Sequence, residues 1–394
     1  MKKIKILRII ARLNIGGPAI HVVLLNDGLD KTKYDSLLIY GDLSGKEGDM
    51  SYYALRKNIR AVFMPQLRRE LNIFRDLSAL GGIYWLLIQE RPDIVHTHTA
   101  KAGALGRLAC AGYNFLHPKK KIVLFHTFHG HVFEGYFNRL SSRLFIFIER
   151  FLAIFCAKII TVSESVKEEI VSLGIAKREK IEVIPLGFEL DSFLNVPPKI
   201  RPAVNIGIVG RLVPIKNHRL FLTAASKMIK EDPCAEVRFH IIGDGELRQE
   251  LERQCSLLGL KSAVDFSGWQ KDLARVYQDL DIVALTSINE GTPVSLIEAM
   301  ASARPVVATD IGGVRDLLGK EDAGKEKKGF RVFENGLLVK PSDAGGLAYA
   351  LLFLAQNSAL RIEMGGRGRD FVKTRFLKER LFEDIDKLYQ SFLS

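Results

Sequence analysis

Short apolar stretches alternate with amphipathic stretches along almost the whole chain, and this alternation restricts the fold more than any other feature. The first apolar stretch, residues 3–11, is followed by a Gly-Gly turn and a helical pattern over residues 19–29. Strands that alternate with helices form parallel sheets, because each helix carries the chain back across one face of the sheet. Further strands are predicted in the first half at residues 35–40, 60–64, 93–97, 121–127, 158–162 and 181–184.

A proline-rich segment divides this alternation into two series. Residues 195–202 contain three prolines, a composition typical of a linker. We therefore predict an α/β protein of two facing, Rossmann-like, doubly wound parallel-sheet domains with an interdomain cleft. The domains span residues 1–195 and 203–370, and a helical segment follows over residues 371–394. Strands of the second series are predicted at residues 203–209, 236–242, 263–267, 281–286, 305–309 and 337–339.

The composition agrees with two globular domains in a reducing compartment. A chain of 394 residues is too long for one ordinary core, and 47% hydrophobic content is typical of a folded protein. The N-terminus reads as a first strand and not as a signal peptide, and residues 144–157 are too few to span a bilayer. We therefore expect a cytoplasmic protein. The cysteines lack CxxC spacing, which gives no sign of a zinc site: Cys110, Cys156, Cys234 and Cys255.

The positive charge is concentrated in the first half of the chain. Residues 1–195 hold 28 basic and 19 acidic side chains, a net +9, whereas residues 196–394 hold 29 and 26, a net +3. A basic domain indicates an anionic partner, either nucleic acid or an anionic membrane surface. No nucleic-acid-binding motif accompanies the charge, so we expect no nucleic-acid partner.

Residues 281–300 combine a short apolar strand, a glycine turn and the start of a helix. Thr292 is a favourable N-cap and Pro293 suits the first helical position. We expect the backbone N–H groups of Gly291, Thr292 and Val294 to point into the crevice above the sheet, where an anion is favoured.

Two glutamates accompany this predicted anion site. Glu290 lies in the turn and Glu298 about a turn and a half into the helix, so their carboxylates approach one ligand from different depths. This arrangement fits a nucleotide-sugar, with phosphates at the helix start and the two carboxylates on sugar and ribose hydroxyls. The alternative is a surface loop with two solvated glutamates.

Two cations follow the first strand of the second domain. Gly210 is succeeded by Arg211 and Lys216, which flank a loop that leads into a helix, with Asn217 as a plausible cap. Two cations beside a helix N-terminus can hold a diphosphate and stabilise charge on a departing phosphate. The alternative is a pair of solvated cations.

Other glycine turns at strand ends are further candidates for contact with a donor. In two of them the role of a neighbouring side chain stays open, because Asp244 either bonds a ligand or holds its turn, and Trp269 either flanks a base or packs at the rim. The turn after the first strand is either a ligand loop or a simple tight turn. The glycines concerned are Gly16, Gly17, Gly243 and Gly268.

Histidines cluster at two strand ends of the first domain. His96 and His98 alternate at one end, while His126, His129 and His131 follow the other. The HxH pattern suggests a zinc hydrolase, but no matching Asp or Glu ligands follow at strand ends, so we predict no metal. His129 is better placed to contact a sugar, and His96 to be hydrogen-bonded inside the domain.

The order of these motifs resembles that of retaining GT-B glycosyltransferases of glycosyltransferase family 4 (group 1). The second domain carries Gly210-Arg211…Lys216-Asn217, Gly243-Asp244-Gly245, Phe266-x-Gly268 and Glu290-Gly291-x-Pro293-(x4)-Glu298-Ala299. In the first domain, Gly16-Gly17 and Thr127-Phe128-His129-Gly130 look like the family's first-domain elements, and residues 96–107 look like those of members that build bacterial or archaeal surface polysaccharides.

This resemblance implies a role for each main candidate. By analogy, Glu290 contacts hydroxyls of the donor sugar and Glu298 the ribose, Arg211 and Lys216 hold the diphosphate, and His129 lies at the sugar. It further implies a metal-independent enzyme without a cofactor, a nucleotide-sugar donor (UDP-linked hexose or N-acetylhexosamine) and a lipid-linked or glycan acceptor. The last helix would pack back on the first domain. No role is implied for Asp316, which stands where the family often has Glu.

Two other functions agree with the same pattern. A sugar-nucleotide epimerase can share the two-domain architecture, but it would isomerise the donor without an acceptor. A non-catalytic, membrane-associated binding protein would use the basic half and would not need the charged candidates of the second domain.

Two segments of the first domain interleave basic and apolar side chains, which suggests that the protein is peripheral on the inner face of the plasma membrane. These are residues 66–75 and 137–147, and the cations expected to dock are Arg68, Arg69, Arg139 and Arg143. The alternative is that residues 144–157 form a buried helix beside ordinary solvated cations.

Overall fold

The computed structural model describes residues 2–43, 48–68, 70–130, 139–197, 203–322 and 328–393. Two compact units make up the chain. The first is Met1–Phe188 together with Lys378–Ser394, and the second is Glu189–Leu377. Of the segments singled out in the sequence, Arg69, residues 131–138 (with His131) and residues 198–202 of the linker lie outside the described residues, as does the side chain of Arg139.

The first unit contains a seven-stranded parallel sheet in the order β3-β2-β1-β4-β5-β6-β7. Its strands are apolar and mostly buried on both faces, as parallel strands covered by helices must be. The order reverses between β1 and β4, which creates a switch point where loops from neighbouring strands diverge. The strands are β1 (Ile4–Ile10), β2 (Tyr34–Gly41), β3 (Ala61–Met64), β4 (Ile94–His98), β5 (Val123–Phe128), β6 (Lys158–Thr161) and β7 (Ile181–Val183).

The second unit repeats the design in the order β10-β9-β8-β11-β12-β14-β13, with its switch point between β8 and β11. Its last pair, β13 and β14, is antiparallel. The strands are β8 (Val204–Val209), β9 (Val237–Ile242), β10 (Val264–Gly268), β11 (Ile282–Leu285), β12 (Val306–Thr309), β13 (Phe330–Val332) and β14 (Gly336–Val339).

Helices connect the strands in both units. The first unit has α1 (Gly17–Gly28), α2 (Ser51–Arg56), α3 (Ile73–Glu90), α4 (Ala100–Leu116), α5 (Arg139–Ala153) and α6 (Glu164–Ser172). The second has α7 (Asp191–Leu194), α8 (His218–Glu231), α9 (Arg248–Leu257), α10 (Leu273–Asp279), α11 (Val294–Ala301), α12 (Arg315–Leu318), α13 (Ala344–Gln356) and α14 (Ser358–Arg375). The last helix, α15 (Lys378–Gln390), belongs to the first unit.

Helix α15 is part of the core of the first unit. One face of it buries Leu381, Ile385 and Tyr389, the spacing that an amphipathic helix requires. It packs against α1, where a Cβ added to Gly28 would lie 2.0 Å from the ring of Phe382. Any larger residue at Gly28 would therefore push the two helices apart.

The prediction of two doubly wound parallel-sheet units is confirmed. One strand was not predicted: β13, a three-residue edge strand that pairs antiparallel with β14. Within the described residues, no helix is both long and apolar enough to cross a membrane.

Candidate active site

The two loops that leave the switch point of the second unit bring a lysine and a glutamate together. Lys216 ends a single turn of 3-10 helix after β8, and Glu290 lies in the loop between β11 and α11. The Lys216 ammonium donates to a carboxylate oxygen of Glu290, and both side chains are mostly shielded from solvent. A cation and an anion from the two central strands therefore meet at the carboxyl ends of those strands, where ligands bind in open α/β sheets.

Short polar contacts fix both loops in place. The Ser287 hydroxyl donates to the same Glu290 oxygen at 2.7 Å. The Thr286 hydroxyl donates to the backbone oxygen of Lys216 at 2.9 Å, and the Ile288 N–H to that of Ile215 at 2.8 Å. The two loops are thus joined by hydrogen bonds to backbone oxygens as well as by the ion pair. These contacts fix the positions of Lys216 and Glu290 relative to each other.

Arg211 completes the charged part of the site. It is half-buried in the loop after β8, and its side chain makes no hydrogen bond or salt bridge to any described residue. A guanidinium in this position can take a bidentate anion without first breaking another contact.

The glycine turns of this unit differ in whether a side chain would fit in place of the glycine. Gly243 has φ +131°, and a Cβ there would lie 2.0 Å from the backbone oxygen of Gly210. Its N–H donates to the oxygen of Gly268 at 2.9 Å. A Cβ on Gly210 itself would lie 3.8 Å from the Lys216 side chain, which is ordinary contact. The protein thus requires glycine at Gly243, whereas at Gly210 the space is open.

Asp244 holds its own turn. One carboxylate oxygen accepts from the Gly245 N–H at 2.7 Å, and the other lies 3.4 Å from a guanidinium nitrogen of Arg248. Of the two roles left open by the sequence, these contacts favour the structural one.

The start of α11 differs from the prediction. The helix begins at Val294 with Pro293 as the N-cap residue, so Thr292 does not cap it. Thr292 stands one position too early, because an N-cap side chain must immediately precede the first helical residue to reach its N–H groups. The Thr292 hydroxyl is instead buried without a hydrogen-bond partner among the described residues. Asn217 precedes α8 in the left-handed region, φ +50°, and its side chain makes no cap hydrogen bond either.

Glu298 lies on α11 and is held by a tyrosine that the sequence did not single out. The Tyr277 hydroxyl, from α10, donates to a carboxylate oxygen of Glu298 at 2.9 Å. Burial raises the pKa of Glu298 to about 7, although the hydrogen bond from Tyr277 acts in the opposite direction. Glu298 is thus poised to change its charge near neutral pH.

The histidines of the first unit form two connected groups. As expected, His96 is buried and hydrogen-bonded, to Tyr389 of α15 at 2.6 Å and to Thr127 at 2.7 Å. At the carboxyl edge of the sheet, His98 and His129 lie 3.0 Å apart, measured from Nδ1 to Nε2. Burial lowers the pKa of His129 to about 3, so its ring is neutral.

A third histidine, from a different part of the chain, joins this edge. His21 lies on α1, one turn after Gly16 and Gly17, and is fully buried. His21, His98 and His129 could hold a metal ion, because one nitrogen from each lies within 4.8 Å of the others. No local pattern in the sequence pointed to His21, which lies 77 residues before His98.

A separate cavity of about 680 Å³ lies over β9 and β10 beside α10. Its lining includes Ser267, Trp269 and Arg275. None of the lysine, arginine and glutamate side chains described above lines this cavity.

Two protein-family models match most of the chain. A model described as Glycosyltransferase Family 4 matches residues 15–192, and one described as Glycosyl transferases group 1 matches residues 203–357. The chain is 28% identical over 364 residues to a UDP-Gal:alpha-D-GlcNAc-diphosphoundecaprenol alpha-1,3-galactosyltransferase of Escherichia coli, with 87% of each protein covered. It is 25% identical over 342 residues to the capsular polysaccharide biosynthesis glycosyltransferase CapM of Staphylococcus aureus, covering 83% of this chain and 84% of CapM.

Solved structures share the fold across the whole chain. Anabaena Alr3699/HepE in complex with UDP superposes with a TM-score of 0.77 at 19% identity, covering 99% of this chain and all of that one. The apo form of the lipopolysaccharide outer core galactosyltransferase WaaB gives a TM-score of 0.72 at 20% identity, covering 98% and 99%.

Proposed function

Because the chain belongs to glycosyltransferase family 4 (group 1) and has the GT-B fold, we propose that it is a retaining hexosyltransferase of cell-surface polysaccharide synthesis. Its donor is a UDP-linked hexose or N-acetylhexosamine, and its acceptor is a lipid-linked sugar or a growing glycan. The name of the Escherichia coli relative, which includes both UDP-Gal and a diphosphoundecaprenol-linked sugar, supports both parts of the proposal. UDP in the Anabaena structure supports the choice of nucleotide.

The observation that carries the proposal is the pairing of Lys216 with Glu290 at the ends of β8 and β11. Without a donor, each charge neutralises the other in a half-buried place where an unpaired charge would be costly. A bound diphosphate would replace the Glu290 carboxylate as the partner of Lys216 and would present two negatively charged phosphates to its ammonium group. When the lysine turns to the phosphates, Glu290 becomes free to accept hydrogen bonds from sugar hydroxyls.

The same exchange assists departure of the nucleotide. As the bond between the sugar carbon and the phosphate oxygen breaks, negative charge grows on the diphosphate and positive charge on the sugar ring. Arg211 and Lys216 stabilise the first charge, together with the backbone N–H groups at the start of α11. The carboxylate of Glu290 stabilises the second. In this proposal the chain's own cations meet the charge of the leaving group, and no metal is needed there.

Two further groups are proposed to contact the nucleotide of the donor, one at a phosphate and one at the ribose. The buried, unpaired hydroxyl of Thr292 needs a hydrogen-bond partner, and a phosphate oxygen beside α11 would supply one. Glu298, held in place by Tyr277, accepts hydrogen bonds from the ribose hydroxyls.

We also propose that the first unit docks on an anionic membrane on its cytoplasmic side, where lipid-linked acceptors are reached. Helix α4 packs against α3 and α5, so these three helices share one face of the sheet. Phe147 on α5 and Ile154 directly after it are each 68% exposed, and on α3 Phe74 is 81% exposed. Exposed apolar side chains at this density are typical of a surface that is covered in use. Further exposed apolar residues of the two helices are Ile73, Leu77, Leu144 and Phe151.

The contacts change which side chains would dock. The reading of residues 144–157 as a buried helix is wrong, because α5 leaves one apolar face exposed. Arg68 is less free than expected, since it pairs with Asp42. Arg75 and Arg143 are exposed and have no salt bridge to a described residue. The proposed docking surface is therefore the apolar faces of α3 and α5 with these two arginines.

A donor panel tests the proposed function. The purified chain would be incubated with UDP-galactose, UDP-glucose, UDP-N-acetylglucosamine and a GDP-sugar, each with and without a polyprenyl-diphosphate-linked N-acetylglucosamine. We expect UDP release to rise at least about tenfold when acceptor and one UDP-sugar are both present. Isomerisation of the donor sugar without UDP release would instead identify an epimerase, and no turnover with any donor would favour a binding protein.

A further inference from the structure

Three histidines meet at the switch point of the first unit, each brought there by a different element. His21 comes from the second turn of α1, His98 is the last residue of β4, and His129 follows the last residue of β5. Strands β4 and β5 are parallel neighbours, with His98 opposite Thr127. Their carboxyl ends therefore bring both histidines to one edge, and α1 places His21 against them.

The rings are arranged around a common point. Their centroids are 5.6 Å apart for His21 and His98, 5.1 Å for His21 and His129, and 5.3 Å for His98 and His129. Three imidazoles that bind one tetrahedral metal with Zn–N bonds of about 2.0–2.1 Å have ring centres about 5 Å apart. Ordinary core packing of three rings does not require three nearly equal separations.

Four of the six ring nitrogens are also unsatisfied, whereas Nδ1 of His98 and Nε2 of His129 lie 3.0 Å from each other. Neither ring nitrogen of His21 has a hydrogen-bond partner among the described residues, and neither does Nε2 of His98 or Nδ1 of His129. A buried nitrogen without a partner destabilises the folded chain, because it has lost its hydrogen bonds to water. A neutral imidazole always has one nitrogen with a free lone pair, and a metal ion is the partner that can accept such pairs from three rings at once.

From this geometry we infer that His21, His98 and His129 form a binding site for Zn²⁺ or a similar first-row transition metal ion. Imidazole nitrogen is a preferred ligand of these ions, whereas Mg²⁺ and Ca²⁺ prefer oxygen. Three protein ligands leave a fourth position for water or an anion. The site would link the start of α1 to the edge of the sheet, and it differs from the prediction of no metal because the sequence did not reveal a third ligand.

Metal content of the untagged, full-length chain tests this inference directly. The protein would be stripped with a chelator, loaded with Zn²⁺, desalted and analysed by mass spectrometry for zinc. We expect one zinc per chain, and a thermal midpoint raised by about 5 °C when free Zn²⁺ is about 100-fold above its Kd. Loading with Co²⁺ should give the visible absorption bands of a tetrahedral site. Wild-type protein that retains no zinc and shows no midpoint shift would overturn the inference.

Variants separate this site from adventitious binding. His21→Gln and His98→Gln should each lower retained zinc at least about tenfold, since removing one of three ligands leaves an incomplete site. His117→Gln is the matched control, because His117 is exposed at the end of α4, where its ring contacts Tyr113 and lies far along the helix from the three histidines. It should retain one zinc. Circular dichroism would verify that each variant is folded, and full zinc retention by a folded His21→Gln variant would refute the site. The measurement uses no nucleotide-sugar, so it is independent of the proposed function.

Discussion

At the scale of single residues, the pairing of Lys216 with Glu290 organises the proposed chemistry. The sequence placed both residues at strand ends of the second unit but assigned them to different parts of the donor. Their direct contact could not be predicted, because 74 residues separate them and only the order of β8 and β11 in the sheet brings them together.

Replacing Lys216 tests its part in stabilising the leaving group. In Lys216→Ala we expect turnover to fall by about 10²–10³, equivalent to about 3–4 kcal/mol, because the charge that develops in the transition state loses its partner. Lys227→Ala is the control, since Lys227 is an exposed lysine on the helix that follows the same loop. Near-normal turnover of a folded Lys216→Ala enzyme would contradict the assignment.

Glu298 provides a prediction about pH. Its pKa of about 7 lies above the ordinary carboxyl value of 4.5, so the folded chain holds a proton that the unfolded chain has lost between these values. The free energy of unfolding should therefore fall as pH rises through this window. In Glu298→Gln that part of the pH dependence should vanish. The stability of the variant relative to wild type should therefore be higher at pH 8 than at pH 5.

The hydrogen-bond donor of Glu298 can be removed separately. In Tyr277→Phe the pKa of Glu298 should rise further, because the hydrogen bond that favours the carboxylate is lost. The window in which stability falls should then extend to higher pH. Thermal midpoints measured from pH 5 to 8 would show this, and identical slopes in wild type and both variants would mean that Glu298 titrates normally.

Elements were easier to predict from the sequence than their contacts. The strands were found because parallel strands are short apolar runs between amphipathic helices, and the predicted and observed bounds agree within about two residues. β13 was missed because a three-residue edge strand has too few residues for a pattern. The sequence left open whether the apolar face of α5 is buried, because sequence alone cannot distinguish a helix face that meets a core from one that meets another partner.

Two glycines at the ends of neighbouring strands, Gly210 after β8 and Gly243 after β9, give a matched test at this scale. Gly243→Ala should destabilise the second unit, because its Cβ would overlap the backbone at Gly210 and its φ of +131° disfavours a side chain. Gly210→Ala should leave the thermal midpoint almost unchanged, since its Cβ meets only ordinary contacts. If a diphosphate approaches that backbone, the same variant should raise the KM for the donor at least about tenfold. Unchanged KM in Gly210→Ala would remove Gly210 from the donor site.

The docking surface of α3 and α5 is tested with vesicles. We expect co-sedimentation to need anionic lipid and to weaken from low to physiological salt, because each cation contributes on the order of 1 kcal/mol near such a surface. Arg75→Gln with Arg143→Gln should reduce binding at low salt. Phe147→Ser with Phe151→Ser should reduce the vesicle binding that persists at high salt. Leu257→Ser, at an even more exposed apolar residue of the second unit, should change nothing. Equal binding to neutral and anionic vesicles would leave a soluble acceptor as the better proposal.

At the scale of the whole molecule, the chain joins two similar sheets whose switch points hold different chemistry. In the second unit the switch point carries opposite charges suited to a diphosphate and a sugar. In the first it carries neutral histidines, and α15 returns from the end of the chain to complete the core there. The duplicated architecture was predictable from the repeated alternation. The difference between the two switch points was only partly predictable, because it depends on residues such as His21 that belong to no local motif.

The configuration of the transferred sugar shows whether the chain is a retaining glycosyltransferase. The chain would be supplied with its preferred UDP-α-linked sugar and a polyprenyl-diphosphate-linked acceptor, and the anomeric proton of the product would be observed by NMR. We expect an α-linked product formed with stoichiometric release of UDP, because a retaining family 4 enzyme keeps the α configuration of its donor. A β-linked product, or an isomerised donor without UDP release, would contradict the account.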